Sequence, residues 1–142
     1  MWTKVPCLKF SFDIVKTGIF DELKSQPMLN SQLDEDIVSR FSHQQVITYF
    51  NLYLKNASVI IDSMAEDIQN KDYESLRSRA HKLKGSSMVV GAGIMKELAS
   101  AIEQHAKEKN KADIEKFEQL KDQFAELIHL LKIRYNISYE NY

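Results

Sequence analysis

Cysteine is almost absent: Cys7 stands alone among 142 residues. An internal disulfide is therefore excluded, and the paired-cysteine and His-x-x-x-His spacings that hold structural zinc are missing. A reducing compartment is the expectation. Four glycines and two prolines are too few for the many tight corners of an all-β sandwich. No sign of charge dominates either. Nineteen Lys and Arg against twenty Asp and Glu leave a formal net charge of −1, which excludes a general nucleic-acid or anionic-membrane binder. No stretch approaches the ~20 apolar residues of a membrane span. The longest candidate, from Met88 to Met95, is broken by Gly91 and Gly93. The opening Met1-Trp2-Thr3-Lys4-Val5-Pro6-Cys7 lacks the apolar segment of a signal peptide. Without such a signal, the glycosylation-like triplets at Asn56 and Asn136 read as chance matches, and the expected location is cytoplasmic.

What is present is helical periodicity in a chain that is 44% hydrophobic and 27% charged, the composition of a soluble globular domain. Residues 1–30 are the least periodic and read as an extension, with one or two helical turns around Ile19, Phe20 and Leu23. Leu33, Ile37 and Phe41 are spaced four apart, which predicts a short amphipathic helix or the first turns of a longer one. Phe50, Tyr53, Leu54, Ala57, Ile60, Ile61, Met64 and Ile68 then recur at three- and four-residue steps, the stripe that a helix buries. Asn70-Lys71-Asp72 marks a turn with capping side chains. Tyr73, Leu76, Ala80, Leu83 and Ser87 predict a second helix over 72–87, which Gly85 and Gly91 loosen. Ile94, Leu98, Ala101, Ile102 and His105 give a third helix, Lys107 to Lys111 a charged connector, and Ile114 to Tyr135 a fourth helix ending near 136. Short connectors force neighbouring helices to alternate in direction. The expected fold is all-α: an antiparallel up-down-up-down four-helix bundle over 31–137, a short N-terminal helical extension before it, and a C-terminal tail over 138–142.

The chemistry concentrates in Arg77-Ser78-Arg79-Ala80-His81-Lys82-Leu83-Lys84-Gly85-Ser86-Ser87, which holds four Lys or Arg side chains and no acid. At roughly 100° per residue, His81 falls on the flank of the buried stripe, where its ring reaches solvent. Arg77, Ser78, Lys84, Gly85 and Met88 lie within about 60° of it by the same count and form one surface. An imidazole in water is substantially neutral at neutral pH and can attack phosphorus. Lys84, one turn on, can pair with phosphoryl oxygens, and Gly85 leaves room for a partner's loop.

Ala80-His81-Lys82-Leu83-Lys84-Gly85-Ser86-Ser87, followed by Gly91-Ala92, resembles the signature of histidine-containing phosphotransfer (HPt) domains. The pattern is His, one free position, Leu or Ile, Lys, Gly, small residues, and a Gly shortly after. The surrounding stripes resemble the family's four-helix bundle over about 33–136. The resemblance implies that His81 accepts the phosphoryl group, that Lys84 supports it and that Gly85 admits the partner's active site. Arg77, Ser78, Lys82 and Met88 would add to the phosphate- and partner-binding surface. Members of the family often carry a glutamine on the following helix that hydrogen-bonds the histidine. Here that position is Glu103, with Gln104 next, and either could face His81. Lys107, one turn later, could offset a glutamate's charge. The implied partners are receiver domains of a hybrid sensor kinase and of response regulators, with no nucleic acid and no membrane, and the chain acting as a monomer.

With no acidic triad for Mg²⁺ and no ATP-binding motif, the expectation is a carrier without a cofactor or metal of its own, the partner receiver supplying Mg²⁺ and the catalytic pocket. The alternative in another class is a bundle that docks on a receiver or other partner without exchanging phosphate. His105 lies on an apolar stripe and reads as a partly buried packing residue. His43 has no ligand neighbours. Glu126-Leu127-Ile128-His129 matches one half of a carboxylate-bridged di-iron motif, but such sites need a second Glu-x-x-His and two further core glutamates. Phe50, Tyr53, Phe117, Phe124 and Tyr135 fall on stripes and are expected in the core.

Overall fold

The computed structural model describes residues 32–109 and 111–138. Five helices lie there, with no strand among the described residues: α1 (Glu35–Val38), α2 (His43–Gln69), α3 (Tyr73–Val90), α4 (Gly93–Lys109) and α5 (Ile114–Tyr135). The expected turns around Ile19, Phe20 and Leu23, and the end of the tail, fall outside the described residues. Three of the four long helices begin where a side chain can satisfy their orphan amides. Ser42 and Gln45 form a reciprocal capping box at α2, Asp72 accepts from the Ser75 amide at α3, and Asp113 accepts from the Lys116 amide at α5. The turn at 70–72 lies where the sequence places it, with Lys71 at φ 57°.

Helices α2 to α5 pack in a ring, each against the next and α5 back against α2. The rings of His43, at the start of α2, and Tyr135, at the end of α5, lie 5.9 Å apart, so these two helices run antiparallel. Phe50, Leu54, Ala57, Met64, Leu76, Ala80, Leu83, Met95, Ile102, Leu120, Leu127 and Leu131 fill the centre with almost no exposure. At about 25 cal/mol per Å² of apolar surface, this shared core stabilises the bundle far more than any one surface pair. Of the five aromatic residues expected inside, Phe50, Tyr53, Phe117 and Phe124 are buried, and Tyr135 packs against the core half-buried.

Three details differ from the periodicity. The segment after Leu33 is a short helix, one of the two expected alternatives, but its buried member is Val38, and Ile37 and the following Phe41 are only half-buried. Helix α3 passes straight through Gly85 and stops at Gly91, whose φ is 84°. There the Ala92 amide donates to the Ser87 carbonyl at 2.9 Å, the closure that a left-handed residue permits. Helix α4 runs on to Lys109, so residues expected in the connector, Lys107 among them, continue the helix. Alternating charge is compatible with a solvated helical face, and in this segment the absence of glycine or proline lets the helix continue.

Candidate functional site

His81 lies in the middle of α3, between the buried Ala80 and Leu83 that anchor the helix to the core. Its side chain is 67% exposed. The side of the ring nearer α4 is fixed by one residue: Nδ1 lies 2.8 Å from Glu103 Oε2. The second carboxylate oxygen of Glu103 holds Lys84 Nζ, also at 2.8 Å. One acid on α4 therefore ties together two side chains a single turn apart on α3. The Glu103 side chain is only 14% exposed. Burial pushes its carboxyl up, but hydrogen bonds from Lys84 and His81, with their charge, outweigh burial and leave it below its ordinary value. An ionised carboxylate only accepts hydrogen bonds. Nδ1 must then carry a proton, so that in the neutral form of the ring the lone pair lies on Nε2.

Of the two candidates on α4, the structure brings Glu103 to His81 and leads Gln104 away, toward a hydrogen bond with Glu108. The cation on Glu103 is Lys84 rather than Lys107, which is exposed one turn further along α4. The basic segment is largely neutralised where it stands. Arg77 pairs with Glu74 at 2.5 Å, Arg79 reaches the buried Asp67 on α2 at 3.2 Å, and Lys84 is held by Glu103. Ser78 and Lys82 lie on the other side of α3, lining a shallow groove of about 330 Å³ with Val59, Ile60, Ser63, Ser75 and Arg79. The surface around His81 thus has two edges: Arg77, Lys84 and Glu103 toward α4, and Ser78 and Lys82 toward α2. At Gly85 a Cβ would meet nothing within 4 Å, so the position is open to the outside. Met88, two turns from His81 on the same face, is 52% exposed.

The Hpt domain family model matches residues 48–130, a span that takes in His81, Lys84 and Glu103. The chain belongs to the Hpt domain family. Hpt domains serve histidine phosphotransfer in phosphorelays, act as phosphocarrier modules rather than catalysts, and interact with receiver domains. Neither curated proteins nor solved structures give a match to the chain.

Around the candidate centre of this Hpt domain the structure adds residues that the sequence did not single out. Tyr49, Leu52 and Val89 are exposed apolar side chains that line a groove of about 530 Å³ with Phe41, Tyr53, Asn56, Ser86 and Val90. The groove runs between α2 and α3, and Val89 places it beside Met88. Its signal in the sequence is a pair of apolar residues on α2, Tyr49 and Leu52, off the main stripe. Beneath it, Tyr53 Oη and Ser87 Oγ share a buried 2.7 Å hydrogen bond, and burial pushes the Tyr53 hydroxyl well up. The other histidines stand apart. His105 is half-buried, with Nδ1 3.7 Å from Asp113. Glu126 and His129 both lie on the exposed face of α5, so their spacing does not direct them into the bundle. No group of three His, Cys, Asp or Glu able to hold a metal occurs among the described residues. No described helix is long and apolar enough to cross a membrane.

Proposed function

We propose that this Hpt domain relays a phosphoryl group between phospho-aspartates of receiver domains through Nε2 of His81. The observation that carries the reading is the 2.8 Å contact of His81 Nδ1 with Glu103, which selects the tautomer of the neutral ring in which Nε2 holds the lone pair. In the first transfer, Nε2 bonds to phosphorus while the bond from phosphorus to the receiver's aspartyl oxygen breaks, and the electron pair leaves with the carboxylate. Lys84 lies one turn from His81 and can offer a charge-assisted hydrogen bond to the phosphoryl oxygens during and after transfer. Gly85 leaves the approach open. Phosphoryl transfer depends mainly on positioning and charge stabilisation, and in this reading the receiver brings the Mg²⁺ and the pocket around its aspartate.

The receiver would seat on the exposed apolar surface of Met88, Val89, Leu52 and Tyr49. An apolar patch that continues from the reactive side chain suits a partner that must approach and leave, with Ser78 and Lys82 at its polar edge. The carrier would act as a cytoplasmic monomer. Incubating the protein with a phosphorylated receiver domain and following the label tests the reading. Label that is stable to alkali and labile to acid, as a phosphoramidate is, and that is lost with His81→Gln, is the expected result. Uptake by His81→Gln equal to that of the wild type would exclude it.

A further inference from the structure

Glu103 does more than orient a ring, because a carboxylate cannot reverse its role. A neutral amide in its place could turn, accepting from Nδ1–H in one state and donating to a bare Nδ1 in another, whereas an ionised carboxylate only accepts. When Nε2 attacks phosphorus, the proton already on Nδ1 makes the product ring a cation. In water that ring would release the proton and become a neutral phosphoimidazole. Here the groups facing it are Glu103 from α4, at 2.8 Å, and Lys84 from α3, itself held on the other oxygen of Glu103 at 2.8 Å. Arg77, the next cation along α3, is turned to Glu74. The acid of α2 that meets α3, Asp67, is paired with Arg79, and on α4 the exposed Lys107 lies one turn from Glu103.

Resting on the phosphotransfer reading above, we propose that Glu103 keeps the Nδ1 proton on His81 after phosphorylation, so that the phosphohistidine is held as a cationic, readily transferred and short-lived donor. The protonated imidazole is the better leaving group: as phosphorus bonds to an aspartyl oxygen of the next receiver, or to water, the N–P bond breaks and returns a neutral ring with the proton still on Nδ1 and the electron pair on Nε2. Glu103 is thus a positioning residue that sets the lifetime of the phosphorylated state. Lys84 balances its charge, so the carboxylate does not repel the incoming phosphoryl group.

The test compares wild type and Glu103→Gln, each phosphorylated by a receiver domain and then freed of it. Loss of label is measured between about pH 6 and about pH 9, where an unassisted imidazole passes from cation to neutral. The wild type should lose label at a nearly level rate into the alkaline part of this window. In Glu103→Gln the rate should fall off at least about one pH unit earlier, giving an up to about tenfold longer lifetime near pH 8. Nitrogen NMR of the phosphorylated wild type, which does not depend on the variant folding, should show Nδ1 still protonated near pH 8. Identical pH profiles, or a bare Nδ1 in the phosphorylated wild type, would overturn the proposal while leaving His81 as the acceptor. Failure of His81 to take label at all would instead overturn the phosphotransfer reading.

Discussion

Lys84 holds Glu103 in the resting protein, yet it is also the cation best placed to meet a phosphoryl group on His81. These roles separate in a transfer experiment. Lys84→Ala should lower the single-turnover rate at saturating receiver by about tenfold, because a charge-assisted contact made in the transition state acts directly on rate. Receiver affinity should change far less, since one exposed charge contributes little to association. An unchanged saturating rate with much weaker binding would make Lys84 a docking residue. The carboxylate it holds also gives a signed pH effect. Because the Glu103 carboxyl lies below its ordinary value of 4.5 in the folded protein, its contribution to stability is fully present above that value and is lost as pH falls through the lower, folded one. Stability measured on either side of pH 4.5 should therefore fall more steeply on the acid side in the wild type than in Glu103→Gln. A difference between the two proteins that appears only above neutrality would contradict the assignment.

At the scale of the helix, α3 carries two glycines that periodicity treats alike and the structure separates. Gly85 has helical backbone and open space at its Cβ, so Gly85→Ala should raise stability by up to about 1 kcal/mol. Gly85→Gln should fold normally and transfer poorly, because its bulk stands in the receiver's path. Gly91 has φ 84°, and a Cβ there would lie 3.2 Å from Val38 and 3.3 Å from the Asp34 carbonyl. Gly91→Ala should cost roughly 1–2 kcal/mol from the left-handed backbone alone, with crowding of α1 in addition. Thermal melts of the three variants check the opposite signs. The long helices were legible because burial imposes a three- and four-residue rhythm on α2 to α5. Their ends were less legible, since the stop of α3 depends on whether a glycine takes a left-handed backbone, and Gly85 and Gly91 look the same as letters. Asp67 was missed for a related reason. It is nearly buried on α2 and forms an ion pair with Arg79 from α3, a pairing that exists once the helices have packed.

For the molecule as a whole, one bundle provides a shared core while α3 presents the proposed phosphotransfer surface between α2 and α4. His81, Lys84 and Gly85 stood out in the sequence because they share a helix and a motif. Glu103 and Gln104 could not be told apart, because adjacent residues differ by about 100° around a helix and only the packing phase of α4 chooses between them. Of the apolar groove between α2 and α3 only the α2 side, Tyr49 and Leu52, left a trace in the sequence, since its two walls come from different helices. That groove makes a prediction of its own. Leu52→Asp should leave the melting temperature nearly unchanged, Leu52 being 58% exposed, yet weaken receiver binding by about tenfold, as loss of an apolar contact at an interface does. Normal binding by this variant would move the docking surface elsewhere. The central claim, that His81 is the point through which phosphate passes, is tested most directly by a two-step transfer. A phosphorylated receiver charges the Hpt domain, the receiver is removed, and a second receiver is added while the label is mapped to its residue at each stage. The expected result is label on His81 Nε2 after the first step and on the second receiver's aspartate after the next, with no passage through His81→Gln. Label on another residue of the domain, or undiminished passage through His81→Gln, would contradict it.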